Sequence, residues 1–166
     1  MTPPAEIPGV GPQPMLRHAL ATLAYRGGKD LRGAPDGFDR FTVSEGTRTP
    51  GEILTHIGDL FDWALTIAQD KQAWTTATVR SWAEECDRFF ATITALDDYL
   101  AANEIRQDTA RLLFQGPIAD AFTHIGQIAL LRRLAGSPVR GENYAKAMIS
   151  TGRTGPDQPP PVFEFD

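Results

Sequence analysis

Residues 49–67 read TPGEILTHIGDLFDWALTI and predict the best-marked helix of this 166-residue chain. Thr49 and Glu52 form a capping box, and Pro50 takes the first helical position, where its missing N–H leaves no hydrogen bond unmade. His56 lies on the flank of the apolar stripe, so we expect its side chain to face other helices. That stripe has helical spacing and comprises Ile53, Ile57, Leu60, Phe61, Ala64 and Ile67.

The residues before this helix predict a first helix and then a long loop. Apolar residues recur at helical spacing from Met15 to Arg26, and the pair Gly27-Gly28 supplies the left-handed conformations that commonly end a helix. Residues 29–48 contain several glycines and a proline, with Phe38, Phe41 and Val43 as isolated apolar anchors. Loops of this length are often functional, and we expect this one to pack on the helices.

Three further helices follow. The most regular runs from Thr76 to Ala102, with steps of three and four between apolar residues. A shorter helix covers 105–114, and a fourth long helix begins with Pro117 as its first residue and runs to about Ala135, before the stop Gly136-Ser137-Pro138. The expected core residues of these helices are Val79, Trp82, Cys86, Phe89, Ile93, Leu96, Leu100, Ile118, Ala121, Phe122, Ile125, Ala129 and the stem of Arg132.

These patterns predict an all-α protein, an up-down-type four-helix bundle with an extra short helix and a Pro-rich C-terminal tail. Residues 1–14 form an irregular N-terminal segment, 15–150 the bundle and 151–166 the Pro/Gly-rich tail. One more short helix is expected at 142–149, and the aromatics of 162–165 are available for docking.

Composition narrows the function classes. The chain has 42% apolar and 22% charged residues and a net charge of −5, without the basic stripe that binds a nucleic-acid backbone. No apolar run approaches the length of a membrane span, and the N-terminus lacks a secretory pattern, so we expect a cytoplasmic protein without nucleic-acid or membrane partners. Cys86 is the only cysteine and is interpreted as a core residue rather than a nucleophile.

The spacing of the histidines suggests a metal site. Asp120 and His124 lie one turn apart on the last long helix, and His56 on the second helix would complete a set of two histidines and one carboxylate. Such a set leaves positions open for water or substrate, and an ion there lowers the pKa of a bound water or thiol. Gln127 and Asp59 are candidates for orienting the ligands.

Simpler interpretations remain open from spacing alone. Asp120 and His124 could form an ion pair, and His56 could be satisfied by a carbonyl group or by Asp59. His18 is expected at the surface and ranks behind the other three as a ligand. The tryptophans Trp63, Trp74 and Trp82 are expected to fill core or interface space.

The segments TPGEILTH at 49–56, with Trp63, and HIGQ at 124–127 resemble the DinB/YfiT superfamily of bacterial proteins, over about Leu16 to Gly136. The resemblance implies a dimeric four-helix bundle that holds a divalent ion with one histidine of the second helix, matched by His56, and two of a His-x-x-x-His motif on the last. His124 matches the second histidine of that motif, and Asp120 replaces the first.

The resemblance further implies a metal-dependent transferase or hydrolase that acts on a small-molecule substrate. The ion would be Zn, Ni, Fe or Mn, and a low-molecular-weight thiol would serve as cofactor in the transferase. The alternative is a non-catalytic dimeric helical bundle that binds a small ligand or a stress-related partner.

Overall fold

The computed structural model describes residues 11–165, and these are mainly helical, as the sequence predicts. Of the expected irregular segment 1–14, residues 1–10 lie outside the described part, as does the last residue of the tail. Within the described part, no helix is long and apolar enough to cross a membrane. The helices are α1 (Gln13–Leu31), α2 (Pro50–Ala68), α3 (Trp82–Ala102), α4 (Gln107–Leu113) and α5 (Ala119–Leu134), and the strands β1 (Gly141–Glu142) and β2 (Glu164–Phe165) pair antiparallel.

Contacts between the long helices define their directions. Helices α1 and α3 are antiparallel, because Arg17 near the start of α1 pairs with Asp97 late in α3, whereas Gly27 near its end lies against Phe89. Helices α1 and α5 end together, where the Arg132 guanidinium donates hydrogen bonds to the carbonyl oxygens at the end of α1 and just after it.

Helices α2 and α3 run in the same direction, so the expected strict alternation of an up-down arrangement is wrong here. Residues 71–81 form no helix and return along α2, so that Val79 reaches Gly51 at the start of α2. Helix α3 therefore begins at the end of the molecule where α2 begins. We call residues 71–81 the crossover.

The crossover also corrects the predicted start of α3. The periodic pattern included Thr76 and Val79, but α3 starts at Trp82, and Val79 is 47% exposed. The reason is a second capping box: the Ser81 hydroxyl accepts from the Glu84 N–H, while the Glu84 carboxylate accepts from the Ser81 N–H. This cap ends the non-helical segment, and the later apolar residues of the stripe pack in the core.

The pair Gly27-Gly28 does not end α1, contrary to the prediction. Helix α1 continues to Leu31, and both glycines are buried where α1 meets α3 and α5. A Cβ on Gly27 would lie 2.4 Å from the Phe89 ring, so the absent side chain allows the helices to approach closely. The loop that follows is anchored by buried Phe38, whereas Val43 is exposed and anchors nothing.

Helices α4 and α5 are joined without a break, and Pro117 does not start a helix. A π-helical turn at Phe114–Ile118 contains Pro117 and connects the two helices. Because a π turn holds extra backbone, it accommodates a residue that cannot donate a hydrogen bond. Gly136 ends α5 in the left-handed conformation, as predicted.

The C-terminal segment is bound to α1 through a buried carboxylate. Glu142 of β1 accepts hydrogen bonds from the Tyr25 hydroxyl at 2.7 Å and from the Lys29 ammonium at 2.8 Å. The expected helix over 142–149 is wrong, because Glu142 lies in β1 and only a short 3-10 turn, Tyr144–Lys146, follows. The tail returns in β2 and pairs with β1, although Phe163 and Phe165 stay about half exposed.

Candidate metal centre

Three sequence-predicted ligands meet between α2 and α5. The Nε2 atoms of His56 and His124 lie 3.5 Å from different oxygens of the Asp120 carboxylate, and one donor atom from each residue lies within 4.8 Å of the others. The two imidazole rings are nearly perpendicular, with centroids 4.9 Å apart. Helix α5 presents Asp120 and His124 one turn apart, and α2 packs beside it to bring His56 opposite them.

The surroundings favour a neutral His56, and the Nε2 atoms of both histidines face the same carboxylate. His124 Nδ1 lies 2.8 Å from the Gln127 side-chain oxygen. A proton on Nδ1 would be donated to that oxygen and would leave Nε2 as the nitrogen that binds an ion. The pKa of His56 is lowered, first by burial and then by the proximity of His124 and of the Arg48 guanidinium, with Asp120 opposing the shift. A neutral imidazole is the form that binds metals.

The arrangement fits a divalent ion. With bonds of about 2.0–2.1 Å, donor atoms in a tetrahedral site stand about 3.3 Å apart. Each histidine lies 3.5 Å from one of the two Asp120 oxygens, and one donor atom from each residue lies within 4.8 Å of the others. The histidine side chains are only 23% and 12% exposed, whereas that of Asp120 is 46% exposed. The cluster is therefore closed on the protein side and open beyond the carboxylate, where water or a substrate could complete the coordination.

Other candidates from the sequence lie elsewhere. The Asp59 carboxylate accepts hydrogen bonds from the Arg88 guanidinium and the Ala77 N–H. It therefore anchors the crossover and does not orient a metal ligand. His18 is exposed on α1 and does not belong to the cluster. Cys86 is partly buried, and its thiol has a pKa raised by burial to about 12, as suits a packing residue.

A tryptophan beside the metal centre was not identified as a site residue from the sequence. Trp74 lies in the crossover, where its ring is 5.8 Å from the His56 ring and 5.7 Å from the Trp63 ring. The crossover is fixed on either side of it, since Thr66 exchanges hydrogen bonds with Ala73 and the Trp74 indole N–H donates to Thr76. The periodic pattern does not include Trp74, and only the return of the crossover along α2 brings this residue to the site.

An open groove of about 390 Å³ adjoins the metal centre at Asp120. One wall comes from α2, and the other from the π turn and the first turns of α5. Its lining combines apolar side chains with a side-chain amide and a hydroxyl, and consists of Leu60, Trp63, Gln115, Gly116, Ala119, Asp120 and Thr123.

In comparisons with models of known protein families, with curated proteins and with solved structures, nothing matched this chain.

Proposed function

We propose that this protein is a metal-dependent transferase or hydrolase of the DinB/YfiT type, in which His56, Asp120 and His124 hold one divalent ion. The convergence of three donor atoms within 4.8 Å, contributed by two separate helices, is the observation that carries the proposal. Zn, Ni, Fe and Mn all accept a set of two imidazoles and a carboxylate. The resemblance of 49–56 and 124–127 to that superfamily, with its four-helix bundle, supports the same interpretation.

When bound, the ion would lower the pKa of a water molecule or a low-molecular-weight thiol and so provide a nucleophile near neutral pH. The protein's own residues orient one ligand and leave access for the substrate. Gln127 holds His124 in the tautomer that binds through Nε2, and the partial exposure of Asp120 leaves an approach for the substrate. The two neutral imidazoles and one carboxylate leave a net positive charge on the centre, which favours an anionic nucleophile.

Elemental analysis of the untagged protein, purified without chelators, tests the metal centre. We expect about one equivalent of a transition metal per chain in the wild type, and loss of that metal in the Asp120→Ala, His124→Ala double variant. A His18→Ala variant is the matched control, because it removes an exposed histidine outside the cluster and should keep the full equivalent. Absence of metal from the wild type, even after reconstitution with Zn, Ni, Fe and Mn, would overturn the proposal.

Substrate screens with the metal-loaded protein then separate the two reactions. Turnover that requires a low-molecular-weight thiol would identify the transferase, and turnover in water alone would identify the hydrolase. The double variant should be inactive in either case.

A second candidate is a non-catalytic dimeric bundle that binds a small ligand or a stress-related partner. It is favoured by the position of Asp120 between the two histidines, where one carboxylate can satisfy both imidazoles as an ion-free, hydrogen-bonded cluster. Dimer formation belongs to both candidates. Leu130 and Leu134, one turn apart on α5, are each more than half exposed and offer an apolar surface for it.

A further inference from the structure

We propose that the groove beside Asp120 binds an uncharged aromatic or similarly planar group of the substrate, stacked on Trp63. This inference rests on the proposed function, because the group would be attached to the part of the substrate that meets the ion. It adds a substrate class, which neither the ligand cluster nor the resemblance specifies.

Position is the first argument. The groove and the ligand cluster share Asp120, so a molecule coordinated beyond the exposed carboxylate extends directly into the groove. Its volume of about 390 Å³ is in the range of sites that enclose small organic ligands, about 300–1,000 Å³. A substrate with one metal-binding end and one ring-sized end would fill both parts.

The shape of the lining is the second argument. Trp63 and Leu60 form an apolar wall on α2, and Gly116 of the π turn contributes no side chain to the opposite wall. A Cβ on Gly116 would lie 3.7 Å from the Trp63 ring, so the missing side chain leaves space beside that part of the ring. The Trp74 ring packs edge-on against Trp63 and holds it in place. An indole that lines the groove and is held in place by a second ring offers a surface on which a planar group can stack.

Charge is the third argument. Among the described residues that line the groove, Asp120 is the only ionisable one, and none is a lysine or an arginine. A negatively charged ring substituent would therefore gain no ion pair from the lining and would lie near a carboxylate. Gln115 and Thr123 instead offer hydrogen bonds to neutral polar substituents.

Two hydroxamates make the test, since both bring the same metal-binding group and differ in what enters the groove. Benzohydroxamate carries a phenyl ring and acetohydroxamate only a methyl group. Calorimetric titration of the zinc-loaded wild type should show about tenfold tighter binding of benzohydroxamate, which corresponds to about 1.4 kcal/mol. A 4-carboxylate on the ring should remove most of that advantage.

Gly116→Leu is the decisive variant, because its side chain would lie against the Trp63 ring and no ligand is replaced. The preference for benzohydroxamate should fall to about twofold or less, while the affinity for acetohydroxamate stays the same. Gly126→Leu is the matched control: Gly126 is also a helical glycine, but a Cβ there has no neighbour within 4 Å, so the preference should persist. If Gly116→Leu does not fold, Trp63→Leu tests the same stacking surface.

The outcomes separate the two proposals. Equal binding of both hydroxamates by the wild type, in a zinc-dependent manner, would overturn the groove assignment and leave the metal centre intact. Retention of the tenfold preference by a folded Gly116→Leu variant would overturn the groove assignment as well. Binding of neither hydroxamate to zinc-treated protein would overturn the metal centre, and the groove assignment with it.

Discussion

Replacing Gly27 by alanine should destabilise the protein, although the same change in a helix ordinarily stabilises it. Alanine is favoured over glycine inside a helix by about 1 kcal/mol. At Gly27, however, the new Cβ would lie 2.4 Å from Phe89 Cζ and 3.0 Å from Ile125 Cδ1, and both neighbours are core side chains. Overpacking of a core costs about 1–3 kcal/mol. We therefore expect a net loss of up to about 2 kcal/mol, from the larger overpacking cost less the helix gain.

Two other glycines make this a graded series. A Cβ on Gly126 meets nothing, so Gly126→Ala should gain the full helix preference of about 1 kcal/mol. A Cβ on Gly28 would lie 3.1 Å from the flexible end of Arg32 and 3.2 Å from Phe90, so Gly28→Ala should fall between the other two.

Urea unfolding followed by circular dichroism measures the series. With a slope of about 2 kcal/mol per molar urea, Gly27→Ala and Gly126→Ala should differ in midpoint by about 0.5–1.5 M. An unchanged slope would show that the variants differ in stability rather than in the extent of folding. Equal midpoints for these two variants would refute the view that Gly27 is needed for the approach of α1 to α3.

Three further predictions concern buried charge and the metal centre. Burial raises the pKa of Asp30 from 3.8 to about 6, so its stabilising contribution is full below pH 4 and is lost as the pH rises through 6. The stability of Asp30→Asn relative to the wild type should therefore rise between pH 4 and pH 7, by up to about 3 kcal/mol. Unfolding curves of both proteins at the two pH values measure this difference. Glu142→Gln should lower the free energy of unfolding by about 2–3 kcal/mol, because Lys29 stays buried with one carboxylate fewer. Proteolysis of the C-terminal segment should then be faster, and an unchanged rate would contradict the anchoring role of Glu142. Gln127→Ala should weaken zinc binding by about 10–100-fold, because His124 loses its hydrogen-bond partner while all three ligands remain. A competition titration with a chromogenic chelator measures this, and an affinity equal to that of the wild type would show that Gln127 does not orient His124.

Local chemistry accounts for what the sequence predicted well. Helix α2 begins at Pro50 behind the Thr49–Glu52 capping box, as expected, because every participant lies within four residues. The pairing of Asp120 with His124 is likewise local to one helical turn. The choice of His56 as their partner used its place on the flank of a buried stripe and the family resemblance, and the structure brings it to the cluster.

The errors arise where tertiary contacts decide the conformation. Gly27 and Pro117 are both typical of helix boundaries. In the structure Gly27 permits close packing of α1 within the helix, and Pro117 lies inside a π turn that joins two helices. The periodicity from Thr76 extends by chance into a non-helical segment, and the capping box of Ser81 and Glu84 starts the helix at Trp82 instead. Trp74 could not be assigned to the site because its approach to His56 depends on the course of that segment.

The crossover also gives the molecule a defined weak point towards proteases. Residues 71–80 form neither helix nor strand, and all but Ala77 are exposed, so a protease can bind this backbone without unfolding a helix. Trypsin acting at Lys71 would leave His56 on the fragment 1–71 and both other ligands on the fragment 72–166. The fragments would stay together only through the packing of their helices, and an ion in the centre would then bridge two separate chains.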